Sequence, residues 1–150
     1  MKKYSVIFLV LWCCYSCDII PQRPLSYELK KELIREGQYF NYVKLLNRSL
    51  NSNNVNDLSR FLSLDFFYTL STGSEHGQVL LELLQKKGDA FFLQALTILN
   101  QSERINVKAF LLIGIDNQQH HRIDFFIKQY PKTFESLNIE SFYNQMETVP

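Results

Sequence analysis

Apolar residues recur with helical spacing along most of the chain after Tyr27. A helix buries one face when apolar residues fall at positions i, i+3, i+4 and i+7. Three stretches follow this spacing: Phe92, Ala95, Leu96 and Leu99; Val107, Phe110, Leu111 and Gly114; and Ile123, Phe126, Ile127 and Tyr130. The sequence has no sustained alternation of apolar and polar residues, and residues 65–70 are more typical of a helix end than of a strand. The pattern therefore predicts an all-α domain.

Cap and turn residues divide this pattern into short helices. Gly88 follows two lysines, as at the carboxyl end of a helix, and Asp89 is placed to cap the next one. Asn100 stands three residues before Glu103, which is the spacing of a capping box, and Pro131 ends the preceding helix. We predict helices near residues 26–36, 39–51, 54–71, 75–87, 89–100, 102–115, 117–130 and 140–148.

Seven or eight short helices joined by tight turns predict antiparallel hairpins. The helices pair into segments of about 30 residues, as in a small helical-repeat-like stack: 39–71, 74–100 and 102–130. Each pair contains one Phe-Phe doublet, and adjacent helical residues point about 100° apart, so each doublet implies a helix covered on two sides. The doublets, at 66/67, 91/92 and 125/126, are unevenly spaced. A compact irregular bundle is therefore the alternative to a stack.

The first residues have the composition of a secretory signal peptide. Lys2 and Lys3 make a basic start, an apolar run covers residues 6–12, and small residues follow. A membrane-spanning helix needs about 20 apolar residues, so this run is too short to be a permanent anchor by itself.

All three cysteines lie just after this run. The stretch Cys14-Tyr15-Ser16-Cys17 resembles the lipobox of bacterial lipoproteins, in which a signal peptidase cuts before a lipidated cysteine. Ser16 matches the small residue before the cut, whereas Cys14 stands where the family usually has leucine. The alternative lipid site is Cys14, which puts Leu11 in the leucine position. A cleaved signal peptide without a lipid is the remaining interpretation.

The resemblance implies a membrane-anchored lipoprotein of the bacterial cell envelope, with the choice between inner and outer membrane left open. It divides the chain into a signal peptide at 1–16, a lipidated Cys17 with its tether at 17–26, and a single helical domain at 27–150. A zinc site in place of the lipid is disfavoured because no partner cysteines occur elsewhere in the chain.

Cleavage before Cys17 changes the length, the cysteine content and the net charge of the remaining chain. It leaves 134 of the 150 residues, and these can form no disulfide, so packing must supply the stability. A domain of this length buries about two-thirds of its unfolded surface. Loss of Lys2 and Lys3 leaves 14 basic against 15 acidic residues, a net charge of −1. A near-neutral domain lacks the basic surface that nucleic acid binding requires.

Two polar stretches carry the candidate chemistry. In the first, His120 and Asp124 are four residues apart and share a helix face, which is a possible metal pair, but no third ligand follows in a known pattern. In the second, residues 72–77, Ser74 and His76 lie between glycines without the G-x-S-x-G order of a nucleophile elbow. We interpret the second stretch as a loop in which Ser74 caps the next helix, and we predict no metal and no cofactor.

Charged residues of both signs alternate near the start of the domain. Three basic residues interleave with three acidic ones there: Lys30, Lys31 and Arg35 with Glu28, Glu32 and Glu36. This arrangement is typical of a solvated helix surface.

These observations favour a non-enzymatic, lipid-anchored protein that binds a protein partner, in an immunity-like, inhibitor-like or scaffold role. Residues 17–150 keep 11 phenylalanines and six tyrosines, enough for an exposed aromatic anchor patch as well as a core. One alternative is an envelope hydrolase that uses His76 or His120 as its base. The other is a carrier of an apolar ligand in a pocket between helices.

Overall fold

The computed structural model of the chain describes residues 21–65, 69–116 and 123–139, and every regular element in these ranges is an α-helix. The helices are α1 (Tyr27–Arg35), α2 (Tyr39–Asn51), α3 (Val55–Leu62), α4 (Leu70–Lys87), α5 (Asp89–Ile98), α6 (Gln101–Asp116), α7 (Ile123–Gln129) and α8 (Pro131–Ser136). The predicted all-α fold class is confirmed. Within the described residues, none of these helices combines the length and the apolarity that crossing a membrane requires.

Helices α4 and α6 form the most extensive contact in the domain. Helix α3 packs on α2 and α5, and α8 packs on α5 and α7, while α1 packs on α2 and α4. The contacts of α3 with α5 and of α4 with α6 join every second helix, as in a stack. The contacts of α1 with α4 and of α5 with α8 join helices that are three apart in the chain, which a simple stack does not predict. The result is a compact helical arrangement. Its largest fully buried side chains are Tyr42, Phe61, Phe92, Phe126 and Phe134.

The close approach of α4 and α6 depends on two glycines. A Cβ atom on Gly77 would lie 2.2 Å from the carbonyl oxygen of Phe110, and one on Gly114 would lie 2.5 Å from the carbonyl carbon of Gly77. Both distances are shorter than any real Cβ contact, so the two backbones touch where a side chain cannot fit. This crossing places the neighbouring residues of α4 at the centre of the domain.

The prediction of one helix over residues 54–71 is wrong. Helix α3 ends at Leu62 and α4 begins at Leu70. Thr69, rather than Ser74, caps α4: the Thr72 hydroxyl accepts the N–H of Thr69 at 2.9 Å, and the Thr69 hydroxyl accepts the N–H of Thr72 at 3.5 Å. The stretch 72–77 is therefore helix, because its glycine-containing surface fits α6, and this packing outweighs the low helix propensity of glycine.

Asp89 caps a different helix from the one that the sequence indicates. It is the first residue of α5, and its carboxylate accepts the N–H groups of Lys132 at 3.0 Å and Thr133 at 2.8 Å. These two groups begin α8, a six-residue helix that the apolar pattern does not reveal. Pro131 ends α7 as predicted and is also the first residue of α8.

The other helix ends agree with their sequence signals. Glu103 donates its N–H to the Asn100 side chain at 3.0 Å and accepts the N–H of Asn100 at 2.8 Å, which confirms the capping box. Gly88 follows the lysines at the end of α4 with a φ angle of +81°. The predicted helix at 140–148 and the doublet at 66/67 lie outside the described residues.

Candidate functional site

His76 lies inside the core, beside the glycine crossing. Its side chain is only 2% exposed, its Nδ1 is 3.0 Å from the Tyr42 hydroxyl, and its ring contacts Phe61 and Phe110. Burial lowers the pKa of His76 to about 3, so the ring is neutral at physiological pH. A general base must reach the proton that it removes, and this imidazole is enclosed by other rings.

The other residues with a predicted role, the metal pair and the lipid-site cysteines, are not brought together in the described part of the structure. Asp124 is half-buried in α7, whereas His120 lies outside the described residues, as do Cys14 and Cys17. In the described ranges, no group of three His, Cys, Asp or Glu side chains is placed to hold a metal ion. The pair of His120 and Asp124 therefore stays a prediction.

The segment that precedes α1 is bound to the domain. Gln22 donates its N–H to the Asn47 side chain at 3.0 Å and accepts the Asn51 amide at 2.9 Å. The Arg23 guanidinium donates to Glu82 at 2.7 Å. Gln22 and Arg23, which fall within the predicted tether of residues 17–26, are thus attached to α2 and α4.

Glu75 continues this attachment at the start of α1. Its carboxylate accepts both the N–H of Ser26, at 2.8 Å, and the Ser26 hydroxyl. The Ser26 hydroxyl in turn accepts the N–H of Leu29 and caps α1. Glu75, which sits beside His76 in the sequence, therefore connects α4 to the beginning of α1 and does not orient a catalytic base.

Glu32 departs from the predicted solvated surface of α1. Its side chain is buried, and it accepts the Thr72 hydroxyl at 2.6 Å and the Arg35 guanidinium at 2.8 Å. The hydrogen bond from Thr72 is the main cause that lowers the pKa of Glu32, and it outweighs the opposing effect of burial; the N–H of Thr69 and the charge of Arg35 add to it. The carboxylate thus joins α1 to the cap of α4.

An open groove lies at the corner between α5 and α6, and its volume is about 440 Å³. We call it the corner groove, and its lining residues are Leu99, Gln101, Arg104, Ile105, Lys108, Ser136, Leu137 and Asn138. Ile105 is 58% exposed, and Ile98 at the end of α5, next to Leu99, is 53% exposed. The two charged lining residues, Arg104 and Lys108, are both basic.

Hydrogen bonds across the corner groove hold its far wall in place. Arg104 donates to the carbonyl oxygen of Ser136 at 2.6 Å and to its hydroxyl at 2.7 Å. Lys108 donates to the carbonyl oxygen of Asn138 at 2.9 Å. The end of α8 and the residues that follow it are thereby attached to α6, so the groove has its shape before anything binds in it.

A second exposed apolar surface lies on the outer side of α1 and the start of α2. We call it the α1 face, and it consists of Tyr27, Lys30, Lys31, Ile34 and Phe40. Tyr27 is 74% exposed, Ile34 is 56% exposed and Phe40 is 67% exposed. Tyr27 and Ile34 are seven residues apart and share one side of the helix. The sequence pattern did not identify either surface, although Ile34, Ile98 and Ile105 all stand outside the apolar positions that face the core.

Comparison of the chain with protein-family models, with curated proteins and with solved structures gave no match. The assignment of a function therefore rests on the two surfaces and on the N-terminal sequence.

Proposed function

We propose that this chain is a lipid-anchored protein of the bacterial envelope whose helical domain binds a protein partner in the corner groove. The groove carries the proposal because it combines a highly exposed Ile105, a preformed wall and a basic rim. Such a site fits a partner segment with an apolar anchor residue flanked by carboxylates, since the anchor fills the groove and the carboxylates meet Arg104 and Lys108. An immunity-like, inhibitor-like or scaffold role follows from this kind of binding.

The burial of His76 supports a binding role over a hydrolase role. A buried neutral imidazole without a route to a substrate cannot serve as a base, and Glu75 is occupied by Ser26. The hydrolase alternative would then depend on His120 alone.

The lipid anchor is tested by labelling the protein with radioactive palmitate in its host. We expect the wild type and Cys14→Ala to take up the label and Cys17→Ala to lose it. Loss in Cys14→Ala with retention in Cys17→Ala would move the anchor to the alternative cysteine. Equal labelling of both variants, or no labelling of the wild type, would contradict the anchor at these positions.

The partner is tested by cross-linking the tagged, lipidated protein in its own envelope and identifying what copurifies by mass spectrometry. We compare the wild type with the double variant Ile98→Asp/Ile105→Asp. Phe125→Asp is the matched control, because Phe125 is 47% exposed on α7 and does not line the groove. A partner recovered with the wild type and the control, and reduced at least about tenfold with the double variant, supports the proposal. Equal recovery with all three proteins, or no partner at all, would refute it.

A further inference from the structure

The α1 face combines side chains that suit the polar surface of a bilayer. The Tyr39 ring connects two of its members: the Lys30 ammonium lies 5.6 Å from the centroid of this ring, and Phe40 meets the ring edge to face. Tyrosine binds at the headgroup level, where its ring leaves water and its hydroxyl stays hydrated, and isoleucine and phenylalanine add apolar area that is buried there. Basic residues on the same surface add attraction to anionic lipids.

The two acidic residues that follow the lysines of this face in the sequence form their ion pairs with Arg35. Glu32 and Glu36 are both bound by Arg35, at 2.8 Å and 3.0 Å. Glu28 lies about 100° around the helix from Tyr27, at the edge of the face. The α1 face itself therefore carries two lysines and no carboxylate, whereas the chain from Cys17 onward has a net charge of −1.

The start of the α1 face lies close along the chain to the proposed lipid, because Tyr27 is ten residues after Cys17. Gln22 and Arg23 are bound to α2 and α4, so the chain is fixed from this point to α1. The five residue steps from Cys17 to Gln22 span at most about 18 Å even when fully extended. A domain held this close to a bilayer must turn one of its surfaces toward the headgroups.

We propose that the α1 face is this surface and that it rests on the headgroups of a bilayer containing anionic lipid. The proposal depends on the lipid anchor proposed above. This placement is compatible with the corner groove, which is built from Leu99, α6, the end of α8 and the residues that follow α8, none of which contributes to the α1 face. The groove is thereby left to the partner.

A fluorescent label at a single cysteine tests this contact. The cysteines of the sequence are Cys13, Cys14 and Cys17, so a chain processed and lipidated at Cys17 has no free thiol, and the parent protein should take up no label. We attach an environment-sensitive fluorophore to Ile34→Cys or to Ile105→Cys. The two positions are matched in exposure but lie on different surfaces: Ile34, 56% exposed, is on the α1 face, and Ile105, 58% exposed, is in the corner groove.

The lipidated proteins are placed in vesicles of phosphatidylcholine with phosphatidylglycerol, and lipid-borne quenchers report contact with the bilayer. We expect a blue shift and quenching at position 34, and neither at position 105. The further change Lys30→Glu/Lys31→Glu should lower the ratio of contacting to non-contacting protein by at least roughly fivefold for each lysine reversed, and removal of phosphatidylglycerol should lower the same ratio.

Vesicle flotation separates the two proposals. Protein that floats with the vesicles but shows no quenching at position 34, or equal quenching at both positions, overturns the membrane contact while the anchor stands. Protein that does not float overturns the anchor and the contact together. A face that serves a protein partner instead would give no quenching in these protein-free vesicles, and this result also overturns the proposal.

Discussion

His76 shows how the core of this domain accommodates a titratable side chain. The imidazole is surrounded by aromatic rings, and its Nδ1 is paired with the Tyr42 hydroxyl. Because burial lowers the pKa of His76 to about 3, the folded protein keeps the ring neutral at a pH where the unfolded chain protonates it. The stability of the fold is therefore linked to the titration of this residue.

We predict that the domain loses stability as the pH falls below about 6.5, where an unfolded histidine begins to bind a proton and the folded one does not. The loss should approach about 1.4 kcal/mol for each pH unit, down to the folded pKa. Urea unfolding between about pH 7 and about pH 5 measures it, in a window above the usual titration of carboxylates.

The variant His120→Gln/His121→Gln isolates this effect, because His76 is then the only one of the three histidines left. We expect the slope to persist in it. In contrast, His76→Phe combined with Tyr42→Phe should flatten the dependence of the unfolding free energy on pH, because the buried histidine is gone. The second change is included because it removes the hydroxyl that would otherwise be buried without its His76 partner. A flat profile in the chain that keeps only His76 would contradict the buried, neutral state of this ring.

The sequence alone could not identify His76 as a core residue. The stretch 72–77 contains two glycines, which are unfavourable in helices, and its polar residues resemble a loop. The fit of Gly77 against α6 is a contact between residues far apart in the sequence, and no local pattern contains it. The periodic positions of α5 and α6, such as Phe92, Leu96 and Leu111, are buried as predicted because their packing repeats with the helical turn.

At the scale of the helices, the crossing of α4 and α6 leads to a prediction about Gly77 and Gly114. Alanine is the better helix former by about 1 kcal/mol, but at either position its Cβ would overlap the backbone of the facing helix. We expect Gly77→Ala and Gly114→Ala each to lower the free energy of unfolding by about 2 kcal/mol or more, measured by urea unfolding. Unchanged or increased stability in either variant would show that the two backbones are not in contact.

The start of α4 gives a second prediction at this scale. Thr69→Ala removes the hydroxyl of the helix cap and should cost about 1 kcal/mol of stability. Ser74→Ala is the matched control, because Ser74 lies inside α4 and its change should fall within about 0.5 kcal/mol. Thermal or urea unfolding of the two variants compares them directly. A larger loss of stability in Ser74→Ala than in Thr69→Ala would show that Ser74 is the cap and that α4 begins where the sequence signals place it.

The ends of helices were predictable only where the signal and its partner are close in sequence. Asn100 and Glu103 form the expected capping box because both partners lie within one turn. Asp89 has the side chain of a cap, but its partners in α8 are more than forty residues away. A local pattern therefore identifies a capping residue without identifying the helix that it caps.

At the scale of the whole molecule, the all-α class follows from periodicity, whereas the exposed surfaces do not. Periodicity shows which side of each helix faces a core, but it does not show which neighbours cover the remaining sides. Ile34 and Ile105 have similar exposures on different helices, and only the packing separates the α1 face from the corner groove. We propose that these two surfaces have different occupants, lipid at the α1 face and protein in the corner groove.

The most direct test places a photo-cross-linking amino acid at position 34 or 105 of the lipidated protein in its host envelope. After irradiation, the adducts are separated by mass and identified. We expect lipid adducts at position 34 and one protein adduct at position 105. The same adducts at both positions, or a protein adduct at 34 with none at 105, would contradict this proposal.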